Sequence, residues 1–231
     1  MSNNKRLAWI ALLLLVPVPS LGAWMAFYGS PGQTGQSVYF AAKVWIALFP
    51  LMWLLRAEHG WPSSSRLARE DRRLGIVLGL SHGLALSTAL CAVVQWKGDA
   101  WIDVAHWRSV LSDAGVTTAT RYLVLGGFLC LVNSLIEEYV WRWFVLRQCK
   151  RVMGGVGGAL AASLFFATHH AIVFCAQFGL ETGLLAAFAV FAAGCLWSWC
   201  YLRFNSIWPG WISHVLIDIT GLALGWRLLF A

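Results

Sequence analysis

SLIEEYVWRWF, Ser134 to Phe144, sets two adjacent glutamates and an arginine in a chain that is almost wholly apolar on either side. If this stretch crosses a bilayer, Glu137, Glu138 and Arg142 stand where an ionised side chain costs about 2.5–3.5 kcal/mol at mid-membrane. Three such charges within six residues need a reason. The surrounding sequence decides whether lipid is in fact the solvent.

Composition says that it is. Of 231 residues, 59% are hydrophobic and 12% charged, and mean hydropathy is +0.68. A soluble domain is about half apolar and about a quarter charged. The fifteen tryptophans suit a membrane–water interface, where indole rings gather. No period-2 alternation of a membrane barrel is present, so helices are the only spanning structures available. The fold class is therefore all-α, a polytopic membrane helix bundle, with 1–231 read as a single integral-membrane domain.

A helix needs roughly 20 apolar residues to cross. Seven segments qualify, at about 7–28, 37–56, 74–96, 120–148, 154–176, 180–203 and 206–229. The first follows Asn-Asn-Lys-Arg and is read as a retained membrane helix, because it is longer than a signal-peptide core and lacks a clean cleavage site. An eighth, re-entrant segment within 97–119 is the variant, since WIDVAHWRSVL is amphipathic.

The formal charge of +7 calls for no nucleic acid, because the basic residues sit at segment ends. Lys5, Arg6, Arg56, Arg66, Arg69, Arg72, Arg73, Arg147, Lys150, Arg151 and Arg203 fall on one side if the N-terminus is cytoplasmic. The positive-inside rule thus predicts N-terminus in and C-terminus out. The expected location is a bacterial inner (plasma) membrane, with lipid as a constant partner. The 56–73 segment is read as a solvated basic loop against anionic lipid.

Several embedded polar residues have ordinary explanations. Lys43, placed near the outer end of the second span, is expected to snorkel to the interface. His82 is expected to be a hydrogen-bonded core histidine, and Glu181 to sit at a helix start, where a carboxylate suits the dipole. The six cysteines form no C-x-x-C pair and read as small buried hydrophobes.

Three sets are not ordinary: Glu137, Glu138 and Arg142; His169 and His170; His214 and Asp218. Ionisable groups in a membrane normally face a bundle interior or a wet cavity and mark function. Glu138 and Arg142 are i,i+4 and share a helix face. Glu137 lies about 100° around the helix at 3.6 residues per turn. Arg142 can then neutralise Glu138 while Glu137 faces a hydrated cavity. A carboxylate with imidazoles points to an activated water: the glutamate takes its proton and a histidine holds it. A second histidine, its tautomer fixed by Asp218, can donate to an oxyanion. The alternative is zinc on Glu137, His170 and His214, although H-E-x-x-H is absent. Ser163 and Ser213, one turn from site residues, are read as packing groups. Readings outside hydrolysis are a proton-coupled transporter, in which glutamate and histidine form a relay, and a non-catalytic membrane scaffold or immunity protein.

At these residues the sequence resembles a known family. EEYVWR is similar to the E-E-x-x-x-R motif of the CAAX-processing and bacteriocin-processing intramembrane proteases, the CPBP or Abi family. FATHH is similar to its F-x-x-x-H motif and HVLID to its H-x-x-x-(Asn/Asp) motif. The three stand in family order within 130–220. The resemblance implies a glutamic-type intramembrane endopeptidase that needs no cofactor, zinc being the alternative. It implies Glu137 as the base, Glu138 and Arg142 as its electrostatic support, and His170 as the water's second holder. His214 and Asp218 are implied on the oxyanion side, where the prenyl-protein proteases carry Asn in place of Asp218. Phe166 and His170 are preferred over Phe165 and His169, because Ser163 stands three before Phe166 as the family's serine does. His169 then becomes a neighbour of the site. The implied partner is a protein or peptide substrate cut near its C-terminus or membrane-proximal part, lipid-modified or bearing a C-terminal sorting tail.

Overall fold

With no water in the hydrocarbon to pair with backbone N–H and C=O groups, each crossing segment must satisfy its own. In the computed structural model of the chain, which describes residues 3–58 and 69–230, the described residues are helical nearly throughout and contain no strand. Six helical stretches are long and apolar enough to cross a membrane. The fold-class expectation holds at that level, and the chain is an integral multi-pass membrane protein. We label them α1 (Asn4–Gly29), α2 (Gln33–Glu58) and α3 (Arg69–Gly98), then the 60-residue stretch Ala119–Phe178, then α7 (Leu180–Phe204) and α8 (Trp208–Phe230). A short helix, α4 (Val104–Asp113), precedes the long stretch.

The long stretch is not straight. Gly154 has φ 80° and ψ −176°, a conformation open to glycine and closed to residues with a Cβ. The chain doubles back there. A Cβ on Gly158 would stand 2.7 Å from the backbone nitrogen of Lys150, and Arg142 stacks on Phe166 across the turn. We divide the stretch at Gly154 into α5 (119–153) and α6 (155–178), an antiparallel pair.

The core gathers Leu15 of α1, Ile46 and Phe49 of α2, Trp141 and Phe144 of α5, Phe166 of α6 and Trp197 of α7. α3 stands outside this group and packs mainly on α8. Gly75, Gly79 and Gly83, one turn apart, meet Pro209, Ile212, Ser213 and Leu216, the small-residue packing that lets membrane helices approach closely. The 97–119 region holds α4 in place of a span. Its Trp107 is buried against Phe178, and Arg108 Nη2 donates to the Leu229 carbonyl at 2.6 Å. It therefore caps one end of α5, α6 and α8. Asp103 accepts from His106 N at 3.0 Å and caps the helix.

The opposite end carries the basic residues. Glu58 at the end of α2 pairs with Arg151 at 2.6 Å and Arg147 at 3.3 Å. Arg203 of α7 pairs with Asp71 of α3 at 3.2 Å. The centre of the expected basic loop, 59–68, lies outside the described residues. Glu181 falls in the first turn of α7, as expected. His82 Nδ1 lies 3.8 Å from Cys200 Sγ, and all six cysteines are unpaired.

Candidate active site

α5 is wound unevenly where it carries its charges. Two wide, π-helical turns, Leu129–Asn133 and Tyr139–Val145, flank the α-helical turn Ser134–Glu138. Such bulges recur at functional sites, since each re-aims the side chains around it. Glu137 is 3% exposed, Glu138 is fully buried and Arg142 is 1% exposed. A buried charge normally comes paired, and each of these is.

Arg142 Nε lies 3.6 Å from Glu138 Oε2, as the i,i+4 spacing predicts. The guanidinium carbon sits 4.4 Å from the Phe166 ring centroid and 5.0 Å from that of Trp197. Glu138 Oε1 faces His214 Nδ1 at 3.2 Å. An ionised carboxylate only accepts, so Nδ1 donates in that bond and Nε2 is turned the other way. Nε2 lies 3.7 Å from Glu137 Oε2 and 3.7 Å from Asp218 Oδ2. Glu138 thus holds the Nδ1 edge of the ring, a contact that the expected tautomer role of Asp218 did not include. Asp218 borders the same nitrogen that faces Glu137.

Glu137 has a cationic partner of its own, which the expected hydrated cavity did not include. Lys43 Nζ of α2 lies 3.2 Å from its Oε1 and donates to Asn133 Oδ1 at 2.8 Å. Lys43 therefore does not snorkel. α2 begins at Gln33, which places Lys43 ten residues, about 15 Å, inside the helix, and an anion awaits it there. The sequence signal was a lysine in mid-span, with Asn133 one turn before Glu137 on the facing helix.

His169 Nε2 lies 3.9 Å from Glu137 Oε1, so the residue read as a neighbour is at ion-pair distance. His170 Nδ1 donates to the Phe166 carbonyl at 3.0 Å. One donor atom each from Glu137, His169 and His170 lies within 4.8 Å of the others. This group differs from the predicted zinc set, because His169 takes the place given to His214. Two histidines and a carboxylate match a catalytic zinc donor set. Against that, Lys43 already places an ammonium on Oε1.

Each ring at the site is held by a neighbour. Trp197 stacks on His214 at 4.2 Å and 19°, and Trp141 stacks on His169 at 5.6 Å and 12°. Phe166 neighbours both histidines, its centroid 6.0 Å from His214 and 5.6 Å from His169. The indoles went unread because both tryptophans look like core or interface residues in sequence. The serines are occupied elsewhere: Ser163 donates to the Ala159 carbonyl at 2.8 Å, and Ser213 accepts from Trp197 Nε1 at 3.0 Å. Gly210 lets α8 approach α5, since a Cβ there would stand 2.5 Å from Glu138 Oε2.

α5, α6 and α8 thus bring two glutamates, an arginine, three histidines and an aspartate from three sequence motifs to one place in a helical membrane bundle, the class of an intramembrane site with titratable groups. Residues 119–220, which contain all of them, match the family model described as type II CAAX prenyl endopeptidase, Rce1-like. That is the family whose motifs the sequence resembles. No curated protein and no solved structure matches the chain.

Proposed function

We propose that this protein is an intramembrane endopeptidase in which Glu137 activates a water for attack on a peptide carbonyl. The observation that carries the reading is the Glu137 carboxylate, buried between His169 and His214 within the segment that matches the endopeptidase family. The proton of the water passes to Glu137 as its oxygen bonds to the carbonyl carbon. The carbonyl electron pair moves to oxygen, and the histidines face the place where that charge forms. Glu137 then returns the proton to the leaving amine as the C–N bond breaks. Glu138 and Arg142 hold His214, and Asp218 lies at its substrate-facing nitrogen. The match favours this reading over a proton relay or a scaffold.

The substrate class is a protein or peptide with its cleavable bond near the C-terminus or the membrane, prenylated or otherwise lipid-modified, or a C-terminal sorting tail. Counting α5 and α6 separately, seven helices cross, with the N-terminus in the cytoplasm of a bacterial cell. The site is then reached from the cytoplasmic side or from the lipid. The specific observation favouring a second reading is the Glu137, His169 and His170 group. If those residues held zinc, the ion would supply a Lewis acid and a more acidic water. The test is cleavage of a farnesylated, internally quenched C-terminal peptide by the reconstituted protein. Glu137→Gln should lose activity by about 10²–10⁴-fold, the range of a general base. Retained turnover in that variant sinks the proposal.

A further inference from the structure

Lys43 stands outside the segment 119–220 that matches the family model, on a helix that carries none of the three motifs. Its ammonium nonetheless reaches the centre of the site. It lies 3.2 Å from Glu137 Oε1, 2.8 Å from Asn133 Oδ1 and 5.6 Å from the Tyr39 ring centroid. The side chain keeps 23% of its surface open, against 4% for Glu137. A lysine in a membrane helix is costly, and a lysine close to either end of α2 could have snorkelled instead.

From this placement we infer that Lys43 is a positioning residue for Glu137. Resting on the hydrolase reading, the inference assigns the two carboxylate oxygens different tasks. Oε1 is held by Lys43, with Asn133 fixing the ammonium. Oε2 is left facing His214 Nε2 at 3.7 Å and is the oxygen that takes the proton from water. Two separate cations, Lys43 for Glu137 and Arg142 for Glu138, give each of the adjacent carboxylates its own partner. Asn133 lies one turn before Glu137 on α5, so the clamp is built across α2 and α5 and depends on their packing at Phe49 and Phe144, 5.9 Å apart edge to face. When Glu137 takes the proton, its negative charge passes to the oxyanion and the ammonium stays beside the site, so no ion has to move during the step.

The test uses full-length protein in proteoliposomes with the farnesylated, internally quenched peptide. Lys43→Met should lower kcat by about 10²-fold, the effect of an ångström-scale misplacement of a catalytic group, with KM within a few-fold. Lys43→Arg, which restores the cation, should recover most of the kcat, and Asn133→Ala should lose an intermediate amount. A merely structural role predicts instead that kcat per folded molecule is unchanged in all three, or that arginine fails to rescue. Should Lys43→Met not fold, the arginine and Asn133→Ala variants decide the same question. Active wild type, inactive Glu137→Gln and unimpaired Lys43 variants overturn this inference and leave the hydrolase standing. Wild type no faster than Glu137→Gln overturns both.

Discussion

His214 stands between the two adjacent glutamates, with Nδ1 3.2 Å from Glu138 and Nε2 3.7 Å from Glu137. Consecutive residues on α5 therefore act on opposite edges of one ring. Glu138 has no route to solvent, and its other oxygen faces Arg142. Removing its charge leaves a guanidinium buried and uncompensated. Glu138→Gln should cost about 3–5 kcal/mol, the penalty for breaking a buried pair. Glu137→Gln should cost less, because the Lys43 ammonium keeps Asn133 Oδ1 as a partner and is less enclosed than Arg142. Thermal unfolding of the two variants in one detergent checks the order; equal losses would show that the carboxylates are equally enclosed.

Arg142 is held by shape as well as charge. Its guanidinium lies over Phe166 and Trp197, and a lysine ammonium cannot stack as a plane. Arg142→Lys keeps the charge yet should lose about 1–2 kcal/mol, the value of a desolvated cation–π contact. The melting temperature should fall, and kcat should fall with it if Glu138 shifts toward the smaller cation. An unchanged melt would show that Coulomb attraction alone holds Arg142.

Close approach of α8 to α5 at Gly210 gives a sharper comparison. An added methyl would meet Glu138 Oε2 at 2.5 Å, whereas one at Gly127 meets nothing within 4 Å. Gly210→Ala should destabilise by about 1–3 kcal/mol through overpacking and should reduce cleavage by displacing Glu138 from His214. Gly127→Ala should be neutral or slightly stabilising, as alanine is the better helix former. Similar melts for the two would mean that α8 can slide away from α5.

Much of this site was legible because membrane burial makes charge expensive. Glu137, Glu138, Arg142, His169, His170, His214 and Asp218 stood out against lipid-length apolar runs, and all lie at one place. The helix pairing of Glu138 with Arg142 followed from spacing within one helix. What spacing could not give was contact between helices. Glu138 to His214 and Lys43 to Glu137 are separated by 76 and 94 residues, and no periodicity encodes them. Lys43 was misplaced because α2 starts earlier than its apolar run. The 97–119 region was harder still: amphipathicity announced a helix, but only packing of Trp107 and Arg108 places it as a cap.

The zinc question has a direct outcome. On the proposed reading the proton acceptor is Glu137 itself, and no residue's role passes through a metal. Extended dialysis against a strong chelator, followed by metal analysis, should leave peptide cleavage within about twofold of its starting value, well inside the 10²–10⁴-fold range of a lost catalytic group. Loss of activity that returns with added zinc would transfer the water to a Glu137, His169 and His170 centre and would require Lys43 to move off Oε1.

Sidedness can be read from two exposed positions at opposite ends of the bundle. Ala114 follows α4 at the end capped by Trp107, and Lys150 lies at the end where Glu58 meets Arg147 and Arg151. The excess of Lys and Arg at the second end predicts that it faces the cytoplasm. In a background without the six native cysteines, Ala114→Cys should react in intact spheroplasts with a membrane-impermeant maleimide. Lys150→Cys should react only after the membrane is opened. The reverse pattern would invert the bundle and put the substrate's cleavable end on the other side of the membrane. Reaction of both in sealed cells would mean that α5 and α6 do not form two crossings.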